Sequence, residues 1–212
     1  MNKKKVKKNF KLILLIVILL VIGSIGFIVY KKMNKKVEPE IPQIEVVDSI
    51  DNFDYELNDN ETEYYNGLFN ELKDLLKTED YDMFDYAVLV GKLFLADFYN
   101  LDNKVMKSDV GGTQFVYSEY RSDFEKGATD TVYKSVESNV YGDRKQVLPI
   151  VDSVEKVSIE RKLFEYNGDI DYDAYYVDLK ITYREDLGYP SDIRLVLIHN
   201  NDKLEIAKME DI

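Results

Sequence analysis

The segment "DAYYVDLKITYRE", residues 173–185, decides the fold class because its apolar and polar side chains alternate. Its apolar residues occupy every second position: Tyr175, Val177, Leu179, Ile181 and Tyr183. Successive side chains of a strand point to opposite faces of a sheet, so the alternation predicts a strand with one buried face. Similar patterns predict strands at 154–166, 193–199 and 204–209. The sequence "NND" at 200–202 suits a tight turn between the last two strands.

Upstream of these strands, apolar residues recur with the period of a helix. A first helix is predicted from Asn60, which can form a capping box with Glu63, to about Lys77. Its apolar stripe consists of Tyr65, Leu68, Phe69, Leu72, Leu75 and Leu76. Thr78 is predicted to cap a second helix. The stripe of that helix consists of Phe84, Ala87, Val88, Gly91, Phe94, Leu95 and Phe98. A glycine in a helix costs about 1 kcal/mol relative to alanine, so Gly91 predicts close helix packing.

The order of these patterns predicts the architecture of the body. Gly111 and Gly112 interrupt the helical pattern, and one or two further helices are predicted between residues 115 and 136. Helices followed by a strand meander are typical of an α+β domain. We therefore predict such a domain at 59–212, with helices packed on an antiparallel sheet of about four strands.

The N-terminus has a different character, because residues 12–30 contain no charged side chain. As a helix this segment would span about 28 Å, close to the roughly 30 Å hydrocarbon thickness of a bilayer. We predict a single transmembrane helix at 12–30, flanked by Lys11, Lys31 and Lys32. The alternative is a cleaved export signal, for which Ser24 and Gly26 provide a small-x-small pattern. The apolar run continues to residue 30, which favours the anchor.

The charge distribution predicts the orientation of the chain in the cell membrane. Of the 28 Lys and Arg residues ten precede residue 37, whereas all 40 Asp and Glu residues follow it, so residues 37–212 carry a net charge of about −22. Residues 1–11 form a basic tail predicted to be cytoplasmic, and the acidic domain is predicted to lie outside the cell. Residues 31–58, with two prolines and many acidic residues, are predicted to be a juxtamembrane tether.

Composition and missing motifs exclude several functions. The acidic body disfavours nucleic-acid binding, and the absence of cysteine excludes disulfides and thiolate sites. The sequence has no P-loop, no G-x-S-x-G and no H-E-x-x-H, so we predict a non-enzymatic protein without a cofactor or structural metal. His199 is the only histidine, beside a predicted turn, and is interpreted as a surface residue.

Three aspartates match the start of a calcium loop: Asp169, Asp171 and Asp173. An EF-hand loop beginning at Asp169 requires Gly at its sixth position and Glu at its twelfth. The chain has Ala174 and Lys180 there, so an acidic hairpin loop is the favoured interpretation. Weak calcium binding of another kind is left open.

The segment "DVGGTQFVYSEYRSDF", residues 109–124, contains the candidate partner surface. Tyr117, Tyr120 and Arg121 are chosen because aromatic residues and arginine are enriched in the cores of protein interfaces. The alternative is that Phe115 and Phe124 belong to the core and the tyrosines only cover it. Alanine at the three candidate positions is expected to weaken partner binding and to leave the melting temperature nearly unchanged.

The element order and the last hairpin, "RLVLIHNNDKLEIAKME" at 194–210, resemble the nuclear-transport-factor-2-like (cystatin-like cone) superfamily. Lys203, Leu204 and Ile206 occupy the places of its last turn and strand. With the basic tail and the anchor, the chain also resembles the bitopic scaffold proteins of type IV secretion and conjugation systems. This resemblance implies a curved sheet and a scaffold role in a bacterial envelope assembly, with the bilayer and other proteins as partners; homo-oligomerisation is left open. The same superfamily implies an alternative, a small-ligand-binding protein or acid–base enzyme that uses the cone pocket.

Overall fold

The computed structural model describes residues 44–212, which contain three α-helices and six strands. The helices are α1 (Glu63–Leu76), α2 (Met83–Phe98) and α3 (Arg121–Asp130). The strands are β1 (Val46–Ile50), β2 (Tyr55–Asn58), β3 (Val151–Tyr166), β4 (Asp169–Tyr183), β5 (Asp192–Asn200) and β6 (Lys203–Asp211). Short 3-10 turns occur at Asp51–Phe53 and Thr113–Phe115. The predicted α+β class is confirmed.

Strands β3 to β6 form one antiparallel sheet in chain order, as the alternating patterns predict. Asn167 and Gly168, with φ of 48° and 86°, form the tight turn between β3 and β4. Asn201, with φ of 56°, stands in the turn between β5 and β6. Asparagine and glycine are the residues that adopt positive φ most readily, which explains the placement of both turns.

The sheet is interrupted by bulges. The register of β3 against β4 shifts at three places, and that of β6 against β5 shifts at one. Bulges bend a strand and increase its twist. Only Tyr175–Lys180 of β4 pair with β5, so the outer half of the β3–β4 hairpin lies beyond the paired part of β5.

Helix α2 packs on one face of the sheet through Gly91. A Cβ atom at Gly91 would lie 2.9 Å from Leu179 Cδ1 and 3.3 Å from Leu195 Cδ1. The predicted close approach at this glycine is confirmed. Phe84 differs from the rest of its stripe, because it lies near the helix start, is partly exposed and packs edge-on against Tyr175 at 5.4 Å.

The helix caps differ from the prediction. The Thr62 hydroxyl, not the Asn60 side chain, accepts the N–H of Tyr65 at 3.1 Å and caps α1. The Asp82 carboxylate, not Thr78, accepts the N–H of Phe84 at 2.7 Å and caps α2. Both segments contain several residues able to cap a helix, and sequence alone does not choose among them.

The predicted tether is wrong in its C-terminal part, because β1 and β2 form an antiparallel hairpin. Tyr55 and Leu57 are buried, and the Tyr55 hydroxyl lies 2.8 Å from the Tyr86 hydroxyl. The folded body therefore includes residues 46–58. Among residues 44–212, none of the helices has the length and apolar character of a membrane span. The transmembrane helix predicted at 12–30 and its flanking Lys11, Lys31 and Lys32 lie outside the described residues.

Candidate functional site: an aromatic sheet face

The sheet face opposite the helices carries a small apolar cluster of its own. Ala174, Val196 and Ile198 are fully buried there, and within residues 44–212 no helix side chain packs against them. Half-buried aromatic side chains cover them instead. Four of these rings belong to Tyr117, Phe164, Tyr166 and Tyr176, and a fifth, that of Tyr120, packs against Tyr117. We call these five residues the aromatic face.

The rings of the aromatic face form a continuous chain of contacts. Tyr117 packs perpendicular to Tyr120 at 5.1 Å and to Tyr166 at 5.4 Å between ring centroids. Phe164 lies 6.2 Å from Tyr166 and 6.3 Å from Tyr176. Such edge-to-face and offset arrangements are the favoured geometries of aromatic pairs.

Backbone pairing places Tyr117 on this face. The Tyr117 N–H donates to the carbonyl of Ile206 at 2.9 Å, so the chain before α3 runs along the free edge of β6. The Tyr120 hydroxyl donates to Asn167 Oδ1 at 3.1 Å, and Asn167 Nδ2 donates to Glu119 Oε2 at 2.7 Å. These bonds hold the segment before α3 against the β3–β4 turn.

The face lies in an acidic environment. Burial raises the pKa of Tyr117, and the Glu119 carboxylate raises it further. Burial also raises the pKa of Tyr166, with contributions from Asp171 and Asp169. At physiological pH the phenols of Tyr117 and Tyr166 are therefore neutral hydrogen-bonding groups.

The structure brings together two of the three predicted partner residues. Tyr117 and Tyr120 belong to the aromatic face, whereas Arg121 lines a separate groove beside Lys203. Phe115 is buried and Phe124 packs against Phe98 at 5.2 Å, as the alternative interpretation of this segment expected. Sequence reasoning missed the aromatic residues of the β3–β4 hairpin, although "FEY" at 164–166 places two rings on one face of a strand.

His199 is joined to the middle aspartate of the D-x-D-x-D segment. Asp171 Oδ2 lies 2.9 Å from His199 Nδ1 and accepts the His199 N–H at 2.8 Å. Asp171 Oδ1 accepts the N–H of Asp173 at 2.9 Å. Burial alone would raise the pKa of Asp171, but the bonds from His199 and Asp173 outweigh it and lower the pKa. Within residues 44–212, no group of three or more His, Asp or Glu side chains is arranged to hold a metal ion.

A buried acid–base cluster, which the sequence reasoning missed, lies at the end of α2. Lys104 and Asp97 form a buried ion pair, and Asp97 Oδ2 accepts the N–H of Gly112 at 2.6 Å. Glu61 lies with them in a recess of about 240 Å³. Burial, together with the Asp97 charge, raises the pKa of Glu61 to about 8.

The chemistry of these sites differs. Half-exposed tyrosines combine apolar area with a hydroxyl and are typical of protein interfaces. Both oxygens of Asp97 are engaged within the fold, one by Lys104 and the other by the N–H of Gly112. In comparisons of the chain with protein-family models, curated proteins and solved structures, nothing matched.

Proposed function

We propose that this chain is a membrane-anchored, non-enzymatic interaction module that contributes its acidic domain to a bacterial envelope assembly outside the cytoplasm. The observation that carries the proposal is the aromatic face, whose five rings are half exposed on the side of the sheet that no described helix packs against. Tyrosine and phenylalanine supply large contact areas at low entropic cost, which is why they anchor protein interfaces. The apolar, uncharged segment at 12–30 supports the placement at the membrane.

We also propose that the domain is a nuclear-transport-factor-2-like cone. The support is the order of helices before a four-stranded antiparallel meander, together with the bulges that bend β3, β4 and β6. The analogy with the bitopic scaffold proteins of secretion and conjugation systems rests on this fold and on the predicted anchor.

The alternative, ligand binding or acid–base chemistry in a cone pocket, has less support because the helix–sheet interface is filled around Gly91. A methyl group added at Gly91 would lie only 2.9 Å from Leu179 Cδ1, so no cavity exists at this point of the interface. Glu61 has the raised pKa expected of an acid–base catalyst, but its recess is lined by no residue of β3–β6. Its neighbour Asp97 is already paired with Lys104.

The proposal is tested by placing a photoreactive phenylalanine analogue at aromatic positions of the full-length protein in its own membranes. Tyr120 and Tyr176 lie on the aromatic face, and a bulky aromatic analogue is a conservative replacement there. Tyr141 is the matched control, because it is 70% exposed and lies outside this face. We expect discrete protein adducts from positions 120 and 176 and none from position 141.

The identity of each adduct separates the outcomes. Adducts with another envelope protein would support the scaffold role, and adducts of twice the chain mass would identify a second copy as the partner. Equal labelling from all three positions, or no adduct from the aromatic face, would contradict the proposal.

A further inference from the structure

A polar groove of about 500 Å³ lies between the β1–β2 turn and the β5–β6 turn. Its lining includes the cations Arg121 and Lys203, the buried carboxylate of Glu205 and the side chain of Gln114. Gln114 is held in place, because its Oε1 accepts the N–H of Glu56 at 2.8 Å and its Nε2 donates to the Glu56 carbonyl at 3.0 Å. This wall is therefore built by the fold and is not formed by loose surface side chains.

Arg121 differs from the other arginines of the chain. Arg184 and Arg194 donate hydrogen bonds to carboxylates and Arg144 donates to backbone carbonyls, whereas Arg161 forms an ion pair with Asp173 at 3.9 Å. Within residues 44–212 the Arg121 guanidinium forms no ion pair, and its Nε is buried without a hydrogen-bond partner. A buried donor of a charged group that lacks an acceptor is unfavourable, and an arginine has five N–H groups to satisfy.

Lys203 is the second cation that lines this groove without forming an ion pair with a carboxylate. Its Nζ lies 4.4 Å from the centroid of the Tyr55 ring and donates to the Gln114 carbonyl at 3.3 Å. Burial lowers the pKa of Lys203 and the nearby Arg121 lowers it further, whereas Glu205 opposes them. Two cations thus face one groove in a strongly acidic domain, and in the described part of the chain neither is within ion-pair distance of a carboxylate.

One oxygen of the carboxylate inside the groove already accepts two hydrogen bonds from the fold. Glu205 Oε2 accepts Asn200 Nδ2 at 2.8 Å and the N–H of Ser118 at 3.4 Å. These bonds explain how a side chain that is only 4% exposed retains its polar group. Within residues 44–212 no ion pair joins Glu205 to Arg121, whose Nε has no hydrogen-bond partner, so the guanidinium remains available.

We propose that this groove is a binding site for a small carboxylate, with Arg121 and Lys203 as its hydrogen-bond donors. Arginine presents its donors in a planar fork that matches the two oxygens of a carboxylate. Asp54, Glu56 and Asp202 also line the groove and repel additional negative charge, so a monoanion fits better than a polyphosphate. The site is separate from the aromatic face and does not depend on the proposed scaffold role.

The test uses the five arginines of the chain as reporters. Full-length protein in detergent, labelled with ¹⁵N at arginine Nε, gives one N–H signal for each ordered arginine, and Arg121→Gln assigns one of them. Acetate is titrated against chloride at matched ionic strength. We expect a saturable shift of the Arg121 signal with acetate, and no comparable shift of the other four signals.

Two charge-removing variants define the site. Lys203→Gln is expected to weaken acetate binding about tenfold, as for loss of one charged donor. Lys208→Gln removes a lysine that pairs with Glu210 on the surface and is expected to leave binding unchanged. An Arg121 signal that does not shift, or a Lys203→Gln variant that binds like the parent, would overturn the proposal. Tighter binding of inorganic phosphate than of acetate would overturn the assignment to a monoanion.

Discussion

Asp97 and Lys104 form an ion pair that is almost completely removed from water, with side-chain exposures of 10% and 3%. The second oxygen of Asp97 accepts the N–H of Gly112, so both oxygens of the carboxylate are engaged. Burial lowers the pKa of Lys104, but Asp97 and Glu61 outweigh it and raise the pKa above its ordinary value. The pair connects the last turn of α2 to the loop that leads to Tyr117 and Tyr120.

Lys104→Met is expected to destabilise the domain strongly, because it leaves the Asp97 charge buried without its partner. Breaking a buried pair in this way typically costs about 3–5 kcal/mol. Lys77→Met is the control, since Lys77 pairs with Asp74 on the surface, where such pairs contribute about 0–1 kcal/mol. Urea unfolding of the full-length protein measures both. Equal losses for the two variants would show that the Asp97 charge is compensated by another route.

Because the pKa of Glu61 is raised in the folded state, we expect the stability of the domain to depend on pH. Its pKa is about 8 in the folded protein against 4.5 for an unperturbed glutamate, so the folded state retains a proton that the unfolded chain releases between these values. Stability therefore falls as the pH rises from about 4.5 to 8, and this contribution is constant above 8. The upper limit of this loss in the free energy of unfolding is about 4–5 kcal/mol. The actual loss is below that limit, because the Glu61 side chain keeps some contact with water.

Glu61→Gln tests this dependence, because glutamine keeps the shape of the protonated acid and does not titrate. Thermal unfolding between pH 5.5 and 8.5 should show a steeper decrease for the parent than for the variant. Glu63→Gln, at an exposed position in the first turn of α1, should behave like the parent. Parallel profiles for all three proteins would exclude Glu61 as the titrating group.

Substitution by alanine is expected to have opposite effects on stability at Gly91 and at Gly67. Gly91→Ala gains helix propensity of about 1 kcal/mol but forces the added methyl against Leu179 and Leu195, and overpacking costs about 1–3 kcal/mol. We expect a net loss of stability of about 1 kcal/mol. Gly67→Ala meets no atom within 4 Å and should stabilise α1 by about 0.5–1 kcal/mol. A gain from both variants would show that the sheet leucines move aside freely.

The sequence predicted the features that depend on periodicity. The alternation around Val177 and the stripe around Gly91 identified β4 and α2, because burial of one face imposes these patterns directly. The β1–β2 hairpin was missed because its strands are short and lie beside a proline-containing acidic segment, although Tyr55 and Leu57 alternate with polar residues. A period therefore identifies an element only where the segment is long enough for the pattern to repeat.

The candidate sites depend on contacts between distant segments, which periodicity does not report. Tyr117 meets Tyr166 only because the segment before α3 runs along β6 and the β3–β4 hairpin turns beside it. The pairing of Lys104 with Asp97 likewise requires the loop after α2 to fold back. Asp97 is the one charged residue in the apolar run 93–99, and this was the only local indication in the sequence that a buried ion pair forms there.

Tyr117→Ala is expected to lower both stability and partner binding, in contrast to the unchanged melting temperature that the sequence suggested. Tyr117 is half buried and loses two perpendicular ring contacts, each contributing about 0.5–1.5 kcal/mol beyond the area buried. Tyr172→Ala is the control, because Tyr172 is 71% exposed and its loss should change stability by no more than about 0.5 kcal/mol. Thermal unfolding measures the first effect, and the yield of adducts from a photoreactive residue at position 176 measures the second. An unchanged adduct yield in a folded Tyr117→Ala protein would show that Tyr117 supports the sheet without contacting the partner.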